Sequence, residues 1–488
     1  MTIASRTVEG QGHVVRRRAA RSARVEHLSK TERAARGKAA RAEVPRSSLA
    51  GWEPPSDRRD PVGVLEEQAL TRVPELIPIR HGRMIVSAFT FYRGAAAIMA
   101  ADLSGRPRTS LHAQLCGDAH LSNFGAFAAP DRRLIFSVND FDETLPGPFE
   151  WDVERLVASI AVAGRDRGFD LTQREQCNLA AARAYRRAMR EFAQSRTLDL
   201  WYARLDVDEL AQRWSAAGNA KQRKRFERNI AKARSKDSQR AWSRLTRVDE
   251  DGRPRIISEP PLIVPIEELL GPEASAELAH TVRTVIRSYR RTLPSDRRHL
   301  LERFRYADAA RKVVGVGSVG TRAWIVLMLG VDDGDPLFLQ FKEAQPSVLE
   351  PYLTRSDFAN HGQRVVEGQR LMQSASDIML GWFRTAGIDG AERDFYIRQL
   401  WDGKGSALVD LMEPNVLATY AEICGWTLAR AHARSGDAVA IASYLGGGDG
   451  FDRAMASFAE AYADQNERDY AAFQTAVADG RLQAEMGL

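Results

Sequence analysis

Between Lys312 and Ala344 the chain carries an apolar run, a cluster of glycines, a second apolar run, an acidic turn and a third apolar run that ends near a lysine. No other stretch restricts the fold so sharply. Gly315-Val-Gly-Ser-Val-Gly320 follows Lys312-Val-Val314, and Trp324-Ile-Val-Leu-Met328 comes soon after. A dinucleotide-binding turn passes directly into a helix. Here a second strand-like run follows instead, so Lys312 to Leu329 predicts strand, glycine turn, strand. Glycines let backbone amides approach phosphates, and a turn between two strands suits a flap over a nucleotide. Gly315, Gly317, Ser318 and Gly320 are the candidate phosphate-binding positions. Pro336 to Ala344 predicts a third strand, after the turn Val331-Asp-Asp-Gly-Asp335. Lys342 closes its apolar run Leu337-Phe-Leu-Gln-Phe341, and a buried lysine is rare unless paired. Contact with the α- and β-phosphates is the chemical reason for one here. Glu367, on the helix that follows, is the expected partner of Lys342, with Glu350 the weaker candidate. The plain alternative is an edge-strand lysine that blocks aggregation.

A second constellation lies about two hundred residues earlier. In Cys116-Gly-Asp-Ala-His-Leu-Ser-Asn123, Asp118 and Asn123 are five apart in a loop leaving the strand candidate Leu111 to Cys116. Asp140 opens Asp-Phe-Asp142 at the end of a strand pair, Asn123 to Ala128 and Leu134 to Val138. Phosphoryl transfer needs few protein groups, and these types supply them. An aspartate orients or deprotonates the attacking hydroxyl, while an asparagine and a second aspartate hold Mg²⁺ against the phosphates. The expected roles are Asp118 and His120 in catalysis and Asn123, Asp140 and Asp142 on the metal. The structural alternative is that Asp, His and Asn make turn and capping bonds, with His120 a hydrogen-bond bridge.

Composition limits the rest. Of 488 residues, 44% are hydrophobic and 27% charged, which excludes wholesale disorder. The longest apolar runs, such as Ala323 to Val331, fall far short of the roughly 20 residues that cross a bilayer. Cys116, Cys177 and Cys424 are too few and too scattered for a disulfide scaffold or a cysteine-rich zinc site, and thiols in a reducing cytoplasm are expected. Met1 to Val15 lacks the apolar core of a secretory signal. Met1 to Arg46 carries a net +8 against +6 for the whole chain, leaving −2 on the remainder. That arm reads as a solvated tail with helical potential, with an anionic partner as the sharper reading; it also resembles an organellar transit peptide. Lys221 to Arg247 is equally basic and reads as a solvent-facing helix, with docking of an anionic partner as the alternative.

Along the chain, Ser48 to Pro61 reads as a linker, Phe89 to Leu103 as helical, and Trp151 to about Gln194 as helices. Leu269 to Arg305 and Arg364 to Met372 read as helical, Asp394 to Trp401 as a strand, and Asn415 to Ala433 as an amphipathic helix burying Leu417, Ala421, Cys424, Leu428 and His432.

These motifs resemble parts of the protein-kinase-like fold in reversed order. Gly117-Asp-Ala-His-Leu-Ser-Asn123 is similar to the catalytic loop of aminoglycoside and choline kinases, H-G-D-x-H-x-x-N, with Cys116 in place of the opening His. Asp140-Phe-Asp142 resembles their metal-binding segment, with Asp142 where protein kinases have Gly, and Asp152 resembles the aspartate that opens the next large-lobe helix. Gly315 to Lys342 resembles the small lobe, Asp394 to Trp401 the hinge strand, and Ala421 to His432 the helix leading into the catalytic loop. The resemblance implies an α+β, two-lobed fold that is circularly permuted. Its parts are a basic arm (1–46), an N-terminal helical segment (47–110), the first part of the large lobe (111–305), a small β-rich nucleotide-binding lobe (306–400) and the helical remainder of the large lobe (401–488). The whole pattern, including Phe91-Tyr-Arg-Gly94 and Asp140-Phe-Asp-Glu143, resembles a bacterial family catalogued as domain of unknown function 2252, from about Lys30 onward. The implied activity is ATP-dependent phosphoryl transfer to a small-molecule hydroxyl with Mg²⁺. The alternatives are a nucleotide-binding pseudokinase or adenylyl transfer on the same fold, and a nucleic-acid-binding protein acting through its basic segments.

Overall fold

Every residue of the strand Pro336–Ala344 is buried, so both faces of the sheet that holds it must be covered. The computed structural model describes residues 27–217, 220–271, 282–387 and 389–487. Its strands, in chain order, are β1 (His112–Leu115), β2 (Phe124–Ala128), β3 (Leu134–Val138), β4 (Leu145–Pro148), β5 (Leu205–Asp206), β6 (Thr246–Val248), β7 (Pro254–Ile256) and β8 (Ile263–Pro265). They continue with β9 (Arg305–Lys312), β10 (Ala323–Leu329), β11 (Pro336–Ala344), β12 (Gly381–Ala386), β13 (Glu392–Gln399) and β14 (Gly405–Ser406). One antiparallel sheet has the order β12-β13-β11-β10-β9-β8. In it, Lys342 lies opposite Ala323 of β10 and Tyr396 of β13. Lys342 therefore sits on an interior strand, and the edge-strand reading of this lysine fails. One face of the sheet packs on Tyr289 and Leu301, the other on Ala241 and Leu245.

A smaller sheet, β14-β2-β3-β5, contains the β2–β3 hairpin, and β1 pairs with β4 alone. These strands bring the loops after β1 and β3 side by side. Beneath them lie the helices Glu150–Asp166, Leu171–Phe192, Pro414–Ser435 and Gly450–Ala478. The first is buried from Glu150 to Gly164, because it crosses the centre of this helical body. Gly425 permits a close crossing: a Cβ there would lie 2.2 Å from the Ala181 carbonyl oxygen. Leu417, Ala421, Cys424, Leu428 and His432 are all buried, as their spacing predicts. The architecture is mixed, 51% helix and 16% strand with several antiparallel sheets, in keeping with the coarse α+β class. No helix among the described residues is long and apolar enough to cross a membrane. The three cysteines are buried and free.

Several sequence expectations shift. Phe89 to Leu103 divides into Ala88–Gly94 and Ala96–Ser104, with Ala95 at the joint. The first strand of the glycine segment is β9, which ends at Lys312, so Val313 to Arg322 is one long loop. Strand β12 was not anticipated, because Gly381-Trp-Phe-Arg-Thr-Ala386 does not alternate cleanly. Within the basic arm, Lys30–Glu43 is a helix that buries only Gly37 and Ala40. It is capped by Ser29 and docked by Arg33 on Asp437 (2.8 Å). The rest of the arm, up to residue 26, lies outside the described residues, as do 272–281 of the helical stretch Leu269 to Arg305. The second basic stretch forms the helices Ala220–Arg234 and Ser238–Leu245. The latter buries Ala241 and Leu245 on the sheet, so it is not wholly solvent-facing.

Candidate active site

Strand β1 ends in a turn at Gly117, whose φ of +82° and whose approach to the Glu143 carbonyl suit only glycine. The turn is anchored by Asp152, in the first turn of the helix Glu150–Asp166. The Asp152 carboxylate accepts hydrogen bonds from Cys116 N (2.8 Å) and Gly117 N (3.0 Å). His432 Nε2 faces the same carboxylate at 3.2 Å, with Tyr185 OH on its Nδ1 at 2.9 Å. The loop is therefore fixed through its backbone, whatever side chain stands at Cys116.

Asp118 follows. Its Oδ1 accepts from Arg155 Nε at 2.9 Å, and Asn123 Nδ2 donates to the Asp118 carbonyl at 2.8 Å. Burial raises the Asp118 carboxyl above its ordinary value, helped by the charge of Asp140 and opposed by Arg155 and Arg93. His120 caps the short turn Leu121–Asn123, its Nδ1 accepting from Ser122 N at 3.2 Å. Its Nε2 lies 3.7 Å from Asp118 Oδ2. Burial and the cations Arg93 and Arg155 hold its imidazole well below the usual range, hence neutral. The hydrogen-bond-bridge reading of His120 describes this geometry.

Strand β3 leads to the acidic segment. Phe141 is buried, and Asp140 and Asp142 on either side of it face the cleft described below. Asp142 makes the contact that joins the two ends of the sequence pattern. Its Oδ2 pairs with Lys342 Nζ and accepts from Ser318 Oγ (3.3 Å), while its Oδ1 accepts from Tyr396 OH (2.8 Å). Burial pulls the Lys342 ammonium down, but the carboxylates of Asp140 and Asp142 outweigh it and hold it above its ordinary value. Burial likewise pushes Asp142 up, and Lys342, Tyr396 and Arg398 reverse that.

The expected Glu367–Lys342 pair is not formed. Glu367 turns outward, half-buried, and bonds Arg370 at 3.1 Å. Glu350, in the turn that precedes the helix of Glu367, lies 4.0 Å from Arg364 rather than against Lys342. At about 100° per residue, the buried face of the helix His361–Met372 presents Arg364, not Glu367. Arg364 donates to the carbonyls of Thr144 (2.7 Å), Asp142 (2.8 Å) and Gln345 (2.8 Å), and so clamps the acidic loop to the sheet. A sequence reading has no means to tell this arginine from a solvated one. Next along the loop, Glu143 is pushed up to about 7 by burial, despite its bond from Val348 N (2.7 Å).

The glycine loop is tied from outside. Gly315 and Gly320 have φ of +72° and +90°. Val73 N donates to Gly320 O (2.8 Å), Arg83 to Gly315 O (2.6 Å) and Arg72 to Val319 O. Below the loop opens a cleft of about 1330 Å³. Asp118, His120, Asn123, Asp140 and Asp142 line one side. Gly315, Gly317 and Ser318 line another. Lys342 lies beneath Asp142, and Gly320 is turned against the Arg72 side chain. The third side comes from the N-terminal segment and includes Arg72, Arg80 and Arg93, none of which the sequence reading assigned a role. Residues of both constellations thus line one cleft, with Lys342 reaching it only through Asp142; Gly320 and Glu367 stand apart.

Among the described residues, no group of three His, Cys, Asp or Glu side chains forms a ready metal cage. Asn123 and Asp140 are hard oxygen donors at one side of the cleft. That set suits Mg²⁺, which takes one or two protein oxygens and completes its shell with phosphate and water.

A family model described as "Uncharacterized protein conserved in bacteria (DUF2252)" matches residues 72–476, most of the chain. No curated protein and no solved structure matches.

Proposed function

The chain belongs to the bacterial family DUF2252, and we propose that it is an ATP-dependent phosphotransferase of kinase-like, circularly permuted fold, acting on a small-molecule hydroxyl with Mg²⁺. One observation carries the reading: Lys342 of the glycine-loop sheet meets Asp142, 200 positions earlier, and Asp142 lines a cleft that residues of the glycine loop also line. The sheet order supports it too. Strands β9, β10 and β11 are neighbours, β13 adds to β11, and β12 lies outside β13. This places a glycine turn between the first two strands and a lysine on the third, the parts a phosphate clamp needs.

In this reading the amides of Gly315, Gly317 and Ser318 approach the phosphates, and Lys342 exchanges Asp142 for phosphate oxygens. Asn123 and Asp140 hold Mg²⁺, whose contribution is to neutralise phosphate charge. Asp118 receives the proton of the acceptor hydroxyl, and its raised affinity for protons suits a base. The oxygen of the acceptor bonds to the γ-phosphorus and ADP leaves. A cytoplasmic site fits the buried free thiols. A second reading, nucleotide binding without transfer, is favoured by one contact: Arg155 already engages Asp118 at 2.9 Å.

The test is incubation with MgATP and mass measurement of the products. ADP with a product heavier by a phosphoryl group supports the proposal. Asp140→Ala should then lose a factor of about 10² to 10³ or more, the effect of removing one stabilising group, with the fold intact. An adenylylated product would move the assignment to adenylyl transfer. Full activity in Asp140→Ala would end it.

A further inference from the structure

Three of the arginines that line the cleft are matched. Arg322 pairs with Glu343 (3.3 Å), Arg393 with Asp389 (2.5 Å) and Arg59 with Glu67 (2.5 Å). Three arginines on the N-terminal side are not. Arg80 is 1% exposed. Its Nη2 donates to Gln68 Oε1 (3.1 Å) and Gly94 O (2.9 Å), while its Nε and Nη1 have no partner. Arg72 gives Nη1 to the Val319 carbonyl and leaves its buried Nε unbonded. Arg93 Nε is also buried and unbonded. Among the described residues, no carboxylate lies within ion-pair distance of any of the three, yet all three line the same cleft as Asp118.

Buried guanidinium groups without a counter-charge are unfavourable, and Arg72 and Arg80 repel one another. Burial pulls Arg72 down to about 10, against the more distant Glu143, Asp142 and Glu343. Such a set is stabilised only when an anion arrives, and the planar fork of arginine matches oxyanions through paired hydrogen bonds. Arg93 is an electrostatic neighbour of Asp118, as Asp140 is, while Arg72 also holds the Val319 carbonyl of the glycine loop. Filling the nucleotide position is therefore the control that separates this anion from the nucleotide phosphates.

We propose that Arg72, Arg80 and Arg93 form an oxyanion site that seats the phosphate group of a phosphomonoester acceptor, leaving its free hydroxyl at Asp118. The acceptor role rests on the phosphotransferase reading; the anion site itself does not.

The probe is inorganic phosphate, titrated calorimetrically into the full chain saturated with Mg²⁺ and adenylyl imidodiphosphate, which fills the γ-phosphate position. Phosphate should bind one to one, and Arg93→Gln and Arg72→Gln should each weaken it at least tenfold with unchanged circular dichroism. Phosphate displaced by the ATP analogue, or bound equally well by both folded variants, overturns the site. If the analogue itself does not bind, the phosphotransferase reading fails. Phosphate titrated into the protein alone then decides the anion site, by whether Arg93→Gln weakens it.

Discussion

Replacing Lys342 by methionine removes one charge from a pair whose side chains are 3% and 25% exposed. Breaking a fully buried pair from one side costs about 3–5 kcal/mol, because the remaining charge is stranded. Asp142 is reached by some water and keeps its bonds from Tyr396 (2.8 Å) and Ser318 (3.3 Å), so about 2–4 kcal/mol is expected. Asp142→Asn together with Lys342→Met leaves no stranded partner. The double variant should be less destabilised than the sum of the singles by about 2 kcal/mol. It will not return to the parent value, since Asp140 also loses its cation.

The pH dependence has a definite sign. In the parent, Asp142 is held below its ordinary value of 3.8. Its contribution to stability is therefore present above that value and lost as pH falls through the lower folded value. In Lys342→Met the chief remaining influence is burial, which raises the carboxyl, so the penalty is full near neutrality and disappears on acidification. Urea denaturation of the four proteins at pH 7, pH 5 and pH 3 measures both effects. Single-variant costs that add to within about 0.5 kcal/mol would refute the contact between these segments.

Asp152→Ala strands the amides of Cys116 and Gly117, each worth about 1–3 kcal/mol. Its unfolding free energy should fall by about 3–5 kcal/mol, with Asp152→Asn losing less because one acceptor oxygen remains. Glu154 is 2% exposed and is pushed up to about 8 by burial, against the pull of Arg106. Its folded value thus exceeds the unfolded 4.5, and stability is lost as pH rises from about 4.5 to 8. Glu154→Gln should flatten that decline and exceed the parent by a few kcal/mol at pH 8.5, read from denaturation midpoints.

What the sequence revealed of the site followed from residues that contradict their surroundings. Lys342 stands out because it ends an apolar run, and Asp118, Asn123 and Asp140 because loops at strand ends hold them together. Arg72, Arg80, Arg93 and Arg364 carry no such mark. An arginine on a short helix, or in a turn as Arg72 is, looks the same in sequence whether it faces water or a cleft, and only tertiary packing separates the cases. Glu367, on the following helix, is the expected partner of Lys342, but helix rotation gives the inward position to Arg364. The glycine loop is longer than its motif because Val313 and Val314, though apolar, leave the sheet after Lys312.

Calorimetric titration with ATP, in the presence and absence of Mg²⁺, tests the central claim most directly. The account predicts one-to-one binding that requires Mg²⁺ and is abolished in folded Asp140→Ala. No binding of MgATP, or binding indifferent to both the metal and Asp140, would contradict it.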